Sequence, residues 1–303
     1  MTHTSPDPVT PESGPHPRAF TLDLPDTINA PILFASPHSG SFYPDVMTAQ
    51  MNVSLMTLRR TEDAFVDELF EKSVKHGAAF IRGNYARGYV DLNRNSRELD
   101  ADMFEDGLPR AASVNSPRVR AGLGCIPRLA PDGRPIYSGK LRQEDGLARL
   151  ERVYDVYHRN ISTYLEHLHS RFGAAVLIDC HSMPSSAAGR GGLPDIVLGD
   201  RFGSSCTNQL TRRIERGFRS LGYSVKRNTP YAGGHTTRLY GRPKRNQHAI
   251  QIEIRRDIYM HEMQVSKSAR FGQLRRHISR LIPDWIEWAQ SLTSQRQYRS
   301  AAE

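Results

Sequence analysis

The 303-residue chain is poor in cysteine, with only Cys125, Cys180 and Cys206, far apart and odd in number. That usage gives no disulfide framework, and no CxxC pair offers a thiolate zinc site. A reducing cytoplasm is the compartment it predicts. No apolar run approaches the roughly 18 residues that a membrane helix needs. The opening MTHTSPDPVTPESGPHPRAF lacks a basic end followed by an apolar core, so no secretory signal is expected. No internal repeat is visible, and no HExxH pair offers a ready metal motif. A hydrophobic share of 38% and a charged share of 24% exclude a collagen-like chain and a wholly disordered one.

Charge is what the chain has in excess. It carries 41 Lys and Arg against 32 Asp and Glu, a formal charge of +9. Clustered, such an excess attracts nucleic acid or anionic lipid. Here the positives are scattered and interleaved with acids, the pattern of an Arg-rich solvated surface. Neither nucleic acid nor a membrane is therefore expected as a partner.

Residues 1–19 are rich in Pro, Ser, Thr and His and are expected to be disordered. One domain is expected over 20–292, with a tail over 293–303. Pro31–Ser36 (PILFAS) reads as a buried strand ending at the polar turn His38-Ser39-Gly40. Leu58, Phe65, Val66, Leu69, Phe70 and Val74 recur at helical spacing, which predicts an amphipathic helix over about 57–76. Strands are predicted at 78–82 and 88–92. Residues 100–140 read as a long irregular excursion, a length more often functional than idle. A long helix over 143–171 precedes Ala174–Ile178, a fully apolar run of the kind buried on both faces of a sheet. A Gly-rich loop (186–194), a strand (195–198), a helix (205–220), strands at 223–226 and 249–254, and a helix over 265–292 complete the order. Alternation of strands and helices predicts a three-layer α/β sandwich around a mostly parallel mixed sheet.

In open α/β sheets, functional groups gather beyond the carboxyl ends of the strands. The first strand runs out at His38 and the central one at Asp179 and His181. Two imidazoles at two core strand ends suit a catalytic metal, which takes three protein ligands and leaves one position open. The third ligand should be a carboxylate, and Glu62 and Asp63 open the helix that follows His38. Consecutive helical residues point about 100° apart, so only one of the two can face the histidines. Helix capping is the structural alternative for either acid. Glu253 lies among Ile250, Ile252 and Ile254, and a carboxylate there costs desolvation unless it has a partner. It is either ion-paired with Arg255 or Arg256, or a general base raised by burial. Arg94, in VDLNRN, offers a planar fork for a carboxylate, or a surface bridge to Glu98. The stretch 230–238 (PYAGGHTTR) is either a loop that closes over a substrate or a simple link.

These residues fall in ordered blocks: SPHSG (36–40), TEDAFVDEL (61–69), VDLNR (90–94), GRPIY (133–137), DCHSMPS (179–185), LPDIVLGDRFGSSC (193–206), TPYAGGHTTRLYG (229–241) and HAIQIEIRRDIYM (248–260). Together they resemble the N-formylglutamate amidohydrolases, also called N-formylglutamate deformylases, over most of 30–262. The resemblance implies a phosphorylase/hydrolase-like α/β fold related to the zinc carboxypeptidases. It implies metal-assisted hydrolysis of an N-acyl amino acid, in the family's case as a step of histidine degradation. Carried onto this chain, it makes His38, Asp63 and His181 the ligands of one zinc ion, with Asp179 and Glu62 behind them. A similarity to the carboxypeptidases points to Glu253 as the catalytic carboxylate and to Asn93 and Arg94 as the holders of a substrate carboxylate, assisted by Arg87 or Arg238. The carboxypeptidases place a Glu three residues after the first His, where this chain has Ser41. The family commonly has an aromatic residue at the position of His235, which implies that this chain's substrate preference differs from the typical one.

Overall fold

Strands buried on both faces set the architecture. The computed structural model describes residues 16–108, 112, 116–187 and 192–300; most of the N-terminal segment, part of the 186–194 loop and the last three residues lie outside that range. Its main sheet has seven strands: β1 (Phe20–Asp23), β2 (Ile32–Ser36), β3 (Ala79–Gly83), β4 (Ala175–Met183), β5 (Ile196–Gly199), β6 (Val225–Arg227) and β7 (Gln247–Arg255). They lie in the order β1-β3-β2-β4-β7-β5-β6. The central four, β3, β2, β4 and β7, are parallel. Strand β1 runs antiparallel to β3, and β5 runs antiparallel to β7 while pairing in parallel with β6. The sheet is thus mixed with a parallel core, as expected. Strand β1 was not foreseen, because four half-buried residues on an edge carry little apolar signal.

The helices are α1 (Asp45–Thr48), α2 (Leu55–Arg59), α3 (Val66–Phe70), α4 (Pro117–Arg120), α5 (Gln143–Arg149), α6 (Val156–Phe172), α7 (Asn208–Ser220), α8 (His235–Tyr240) and α9 (Phe271–Ser300). A π-helical segment, Leu150–Asp155, joins α5 to α6, so the long helix expected over 143–171 is continuous in path. Helices α3, α7 and α9 cover one face of the sheet, where Phe34, Ile178, Ile252, Phe218 and Trp285 pack together. Helix α6, α2 and the 100–140 excursion cover the other, over Leu33, Leu177 and Ala249. The result is three layers with a core on each side of the sheet. Among the described residues no helix is long and apolar enough to cross a membrane.

Four expectations need correction. The predicted helix over 57–76 is broken: α2 stops at Arg59, and α3 starts only at Val66 after Phe65 in the left-handed region (φ 66°). The reason lies in the packing. Leu58 belongs to one core and Val66, Leu69 and Phe70 to the other, so the chain crosses from one face of the sheet to the other between them. Residues 88–92 are not a strand but a turning segment: Val90 and Leu92 are buried by side-chain packing, while the Asp91 amide bonds to Cys125 O rather than to a ladder. The last helix begins at Phe271 and runs to Ser300, beyond the expected end near 292. Finally, the chain is already docked before Phe20: Pro17 O accepts from Tyr85 OH, Arg18 O accepts from Asn84 Nδ2, and Ala19 is buried.

From β2 the chain steps to β3 on one side and later to β4 on the other. The carboxyl ends of β2 and β4 therefore flank the point where connections change direction, where such sheets open a crevice.

Candidate functional site

Period-two alternation decides what each strand presents at that crevice. On β4, Val176, Ile178 and Cys180 face the core beneath α9, whereas Leu177, Asp179 and His181 face the other side. On β7, Ile250, Ile252 and Ile254 do the same, leaving Gln251 and Glu253 on the second face. The register pairs Asp179 with Gln251 and His181 with Glu253, so two polar pairs replace the apolar stripe at one end of the sheet. All four side chains are buried.

His38 stands just past the end of β2, and the 60–65 crossing drapes across it. The Asp63 amide donates to His38 O at 2.9 Å, which fixes the two backbones together. As a result His38 Nδ1, Asp63 Oδ2 and His181 Nδ1 converge, all within 4.8 Å of one another. Asp63 Oδ2 lies 2.9 Å from His181 Nδ1 and 3.4 Å from His38 Nδ1. Its other oxygen accepts from Arg256 at 2.9 Å and from Ser182 Oγ at 3.3 Å. Glu62 points elsewhere, accepting from Tyr43 OH at 2.8 Å and Arg59 Nε at 3.4 Å. Burial raises its pKa, with Tyr43 and Arg59 opposing. Asp63, not Glu62, is thus the acid brought to the histidines.

The far nitrogen of each imidazole meets a carboxylate. His38 Nε2 lies 2.7 Å from Asp91 Oδ1, and His181 Nε2 lies 2.9 Å from Asp179 Oδ2. In His38 an Nε2–H aimed at Asp91 leaves the Nδ1 lone pair free on a neutral ring; His181 Nε2 also lies 3.2 Å from Asn93 Nδ2, and the same tautomer there would leave its Nδ1 lone pair toward Asp63. Three lone-pair atoms then face one point, an arrangement that repels itself unless a proton or a metal cation lies among them. His38 Nδ1 is buried and has no hydrogen-bond partner. With protons as the only cations, burial disfavours the charged His181 ring, but Asp179 and Asp63 outweigh it and hold its pKa well above the usual value. Burial likewise opposes the charge on Asp63, yet both histidines hold it well below the carboxylate range. Two imidazoles and a carboxylate, with a second carboxylate beside each imidazole, form a donor set that could hold a metal ion.

Asp91 was missed as a site residue. It lies in the VDLNR block, but its partner His38 is 53 residues away and no local spacing joins them. Burial opposes its charge; Arg87, Arg94 and His38 nonetheless keep its pKa well below the usual range. Asp91→Asn is expected to weaken metal binding by about 10–100-fold, the usual effect of losing such a brace. Competition with a chromophoric chelator measures it, and unchanged affinity would contradict this reading of the carboxylate. Arg256 was read only as a partner for Glu253. It instead donates to Arg60 O, Asp63 Oδ1 and Ser182 Oγ, pinning the crossing to β4. Arg255 pairs with Asp195 and Asp257, so neither arginine closes a bridge with Glu253.

Glu253 accepts from Gln251 Nε2 at 2.6 Å. Burial is the main cause that pushes its pKa up to about 7, with His181 opposing and Asp63 adding to the rise. Gln251 Oε1 in turn accepts from the Gly234 amide at 2.8 Å, tying this carboxylate to the 230–238 loop. A Cβ on Gly234 would lie 2.5 Å from the Asn93 amide, so the loop's close approach requires glycine there. Tyr231, also unforeseen, is half-buried in that loop, and burial together with Glu253 raises its phenol pKa.

Of the expected substrate holders, Asn93 is drawn inward: its Oδ1 accepts from Thr236 N at 2.9 Å, and its Nδ2 lies 3.2 Å from His181 Nε2. Arg87 donates to Asp91 Oδ2 at 2.8 Å and lies 4.0 Å from Asp63. Arg94 keeps a looser place, 3.9 Å from Asp91, with one nitrogen on Asn93 O. His235 opens α8 and Arg238 lies in its last turn, 3.5 Å from His235 Nδ1.

A family model for N-formylglutamate amidohydrolase matches residues 30–260. An N-formylglutamate deformylase of Pseudomonas aeruginosa is 32% identical over 237 residues, 77% of this chain and 83% of that protein. One from Pseudomonas putida is 30% identical over 77% of this chain and 82% of its own length. The crystal structure of an N-formylglutamate amidohydrolase from Ralstonia eutropha JMP134 superposes with a TM-score of 0.86 at 34% identity, covering 90% of this chain and 99% of that one. A gene product of Agrobacterium tumefaciens, Atu2144, shares the fold at a TM-score of 0.63 and 18% identity, over 88% of this chain and 94% of its own.

Proposed function

The chain belongs to the N-formylglutamate amidohydrolase family, and from that premise we propose that it is a metal-dependent amidohydrolase that cleaves N-formyl-L-glutamate, or a related N-acyl amino acid, to formate and the free amino acid. The observation that carries the metal dependence is the convergence of His38 Nδ1, Asp63 Oδ2 and His181 Nδ1, with His38 Nδ1 buried and unpartnered. These three atoms would hold one ion, and their chemistry suits zinc. When bound, such an ion polarises an amide carbonyl and makes water more acidic near neutrality.

The remaining steps belong to side chains. Glu253 takes a proton from the attacking water and returns it to the departing amine nitrogen, a role suited to a carboxylate raised by burial. Gln251 holds that carboxylate in place. Arg94 anchors the α-carboxylate of the substrate with its fork. Arg87 serves the ligand framework through Asp91, and its positive charge also faces Asp63 and Glu253. The catalytic unit is a single domain, because both cores share one sheet. Its place of action is the cytoplasm, in keeping with three buried free thiols.

Arg94→Ala removes a ground-state contact. It is expected to raise KM about 10–100-fold, as for a lost charged hydrogen bond, with a smaller fall in kcat. Steady-state kinetics check it, and an unchanged KM would move the anchor elsewhere. The test of the whole reading is a panel of N-formyl and N-acetyl amino acids, assayed as purified, after chelation and after zinc is restored. Hydrolysis that chelation abolishes and zinc returns supports the proposal. Undiminished turnover after complete metal removal, or no turnover of any N-acyl amino acid with zinc present, overturns it.

A further inference from the structure

Two buried amide side chains, Asn93 and Gln251, connect the 230–238 loop to the Glu253 carboxylate. Each has one acceptor end and one donor end, and the loop decides which end faces where. A backbone N–H can only donate. The Thr236 amide donates to Asn93 Oδ1 at 2.9 Å, and the Gly234 amide donates to Gln251 Oε1 at 2.8 Å. Both oxygens are therefore committed to the loop. The nitrogens are left for the next acceptors along: Asn93 Nδ2 lies 3.5 Å from Gln251 Oε1, and Gln251 Nε2 donates to Glu253 Oε1 at 2.6 Å. Turning the Gln251 amide over would set its NH2 against the Gly234 N–H and its oxygen against a carboxylate. Buried polar groups do not tolerate such a mismatch.

The loop is seated closely enough to impose this order. A Cβ on Gly199, the strand partner of Gln251, would lie 2.5 Å from Gly233 N, so the loop rests on the end of β5 as tightly as on Asn93. It is fastened there by the Arg201 amide, which donates to Ala232 O at 2.7 Å. On the other side the Asn93 amide N–H donates to Asp91 Oδ1 at 2.9 Å, tying its backbone to the carboxylate beside His38. Asn93 is 3% exposed. Its oxygen is taken by Thr236, and its nitrogen lies against Gln251 and the His181 ring. No end of this amide is left for a substrate carboxylate, the role that the likeness to the carboxypeptidases implied.

We propose that Asn93 and Gln251 are positioning residues, a two-amide relay through which the 230–238 loop aims the Glu253 carboxylate, and that Asn93 does not touch the substrate. The inference rests on the hydrolytic function proposed above and removes one residue from its binding groups. Among the described residues, the bond from Gln251 is the one hydrogen bond that the Glu253 carboxylate accepts. A carboxylate held by a single bond turns when that bond is lost. Misplacing a reacting group by about 1 Å costs on the order of 10²-fold in rate.

Steady-state kinetics of the full chain loaded with zinc, on N-formyl-L-glutamate, test the relay. Gln251→Met keeps the length of the side chain and removes its amide. Asn93→Leu keeps the volume and removes both polar ends. Each is expected to lower kcat by about 10–100-fold, with KM within about twofold of the wild type and zinc content unchanged. The two act in series, so the double variant should fall little below the slower single variant rather than to the product of both losses. Should either single variant fail to fold, as judged by its melting curve, Gln251→Asn carries the same expectation, because it keeps the amide and shortens its reach by one carbon. Unchanged kcat in a folded Gln251 variant overturns the inference, and so do losses that multiply. A KM raised about tenfold with kcat retained in Asn93→Leu overturns it as well, by returning Asn93 to the substrate. If the wild type hydrolyses no N-acyl amino acid, the hydrolytic reading fails by itself, and amide hydrogen exchange across 230–238 decides the relay. Exchange about tenfold faster in the Asn93 and Gln251 variants than in the wild type supports it. Unchanged exchange overturns it.

Discussion

His38→Ala and His181→Ala variants are each expected to emerge without metal and to show hydrolysis at background, while keeping the fold of the parent. The three converging atoms come from three separate pieces of backbone: the end of β2, the 60–65 crossing and the body of β4. None of them alone makes a site, and removing one imidazole leaves two donors where a catalytic zinc takes three. The fold survives because most neighbours keep other partners, although His181→Ala also takes the ion-pair partner of the buried Asp179 and is expected to melt at a lower temperature. Asp63 remains paired with Arg256 and Ser182, and Asp91 with Arg87. Both apolar cores lie on the sheet faces beneath the site and lose nothing. Elemental analysis of the purified variants, beside their circular dichroism, separates the two effects. Full metal content in either variant would remove that histidine from the ligand set. Lost ellipticity would show instead that the imidazole carries the fold.

The residues legible from sequence are those whose position follows from strand pattern. His38, His181 and Glu253 were found because apolar runs fix the strands, and the polar residues that end or interrupt them have few structural excuses. From strand and helix pattern Asp63 was one of two neighbouring acids, and only the family resemblance favoured it over Glu62. What separates it from Glu62 is the break between α2 and α3, which the apolar spacing concealed. Leu58 and the Val66, Leu69, Phe70 group look like one helical stripe, yet they bury on opposite faces of the sheet. The stripe is two half-stripes joined by a crossing, and that crossing is what brings a carboxylate to the strand ends. The same blindness hid Asp91. VDL reads as strand because its apolar residues are buried, but a segment can be buried by packing without joining a ladder, and its freed backbone can turn. Periodicity reports which side chains are buried, not against what. Asp91 with His38, and Arg256 with Asp63, are partnerships across the sheet that only the fold creates.

Glu253→Gln is expected to lower kcat by about 10²–10⁴-fold, the usual contribution of a general base, with zinc content unchanged. The substitution keeps shape and burial and deletes only the ability to take a proton. Gln251 already donates to Glu253 Oε1 at 2.6 Å, and an amide oxygen at 253 can accept the same bond, so the local network persists. The sign of the pH dependence follows from the required form. A base works only when ionised, so kcat/KM rises with pH through the pKa of Glu253. Burial sets that value at about 7 when protons are the only cations in the cluster. A divalent ion beside His181, the strand partner of Glu253, favours the carboxylate and pulls the value lower. The acid limb of the wild-type profile should therefore fall below about 7, and it should be absent from the residual activity of Glu253→Gln. A ligand role predicts something different: zinc would be lost together with activity. A purely structural role predicts a lower melting temperature and an acid limb that stays where it was. Near wild-type kcat in the glutamine variant would remove Glu253 from the mechanism, leaving the proton transfer to another group on the same face of the sheet.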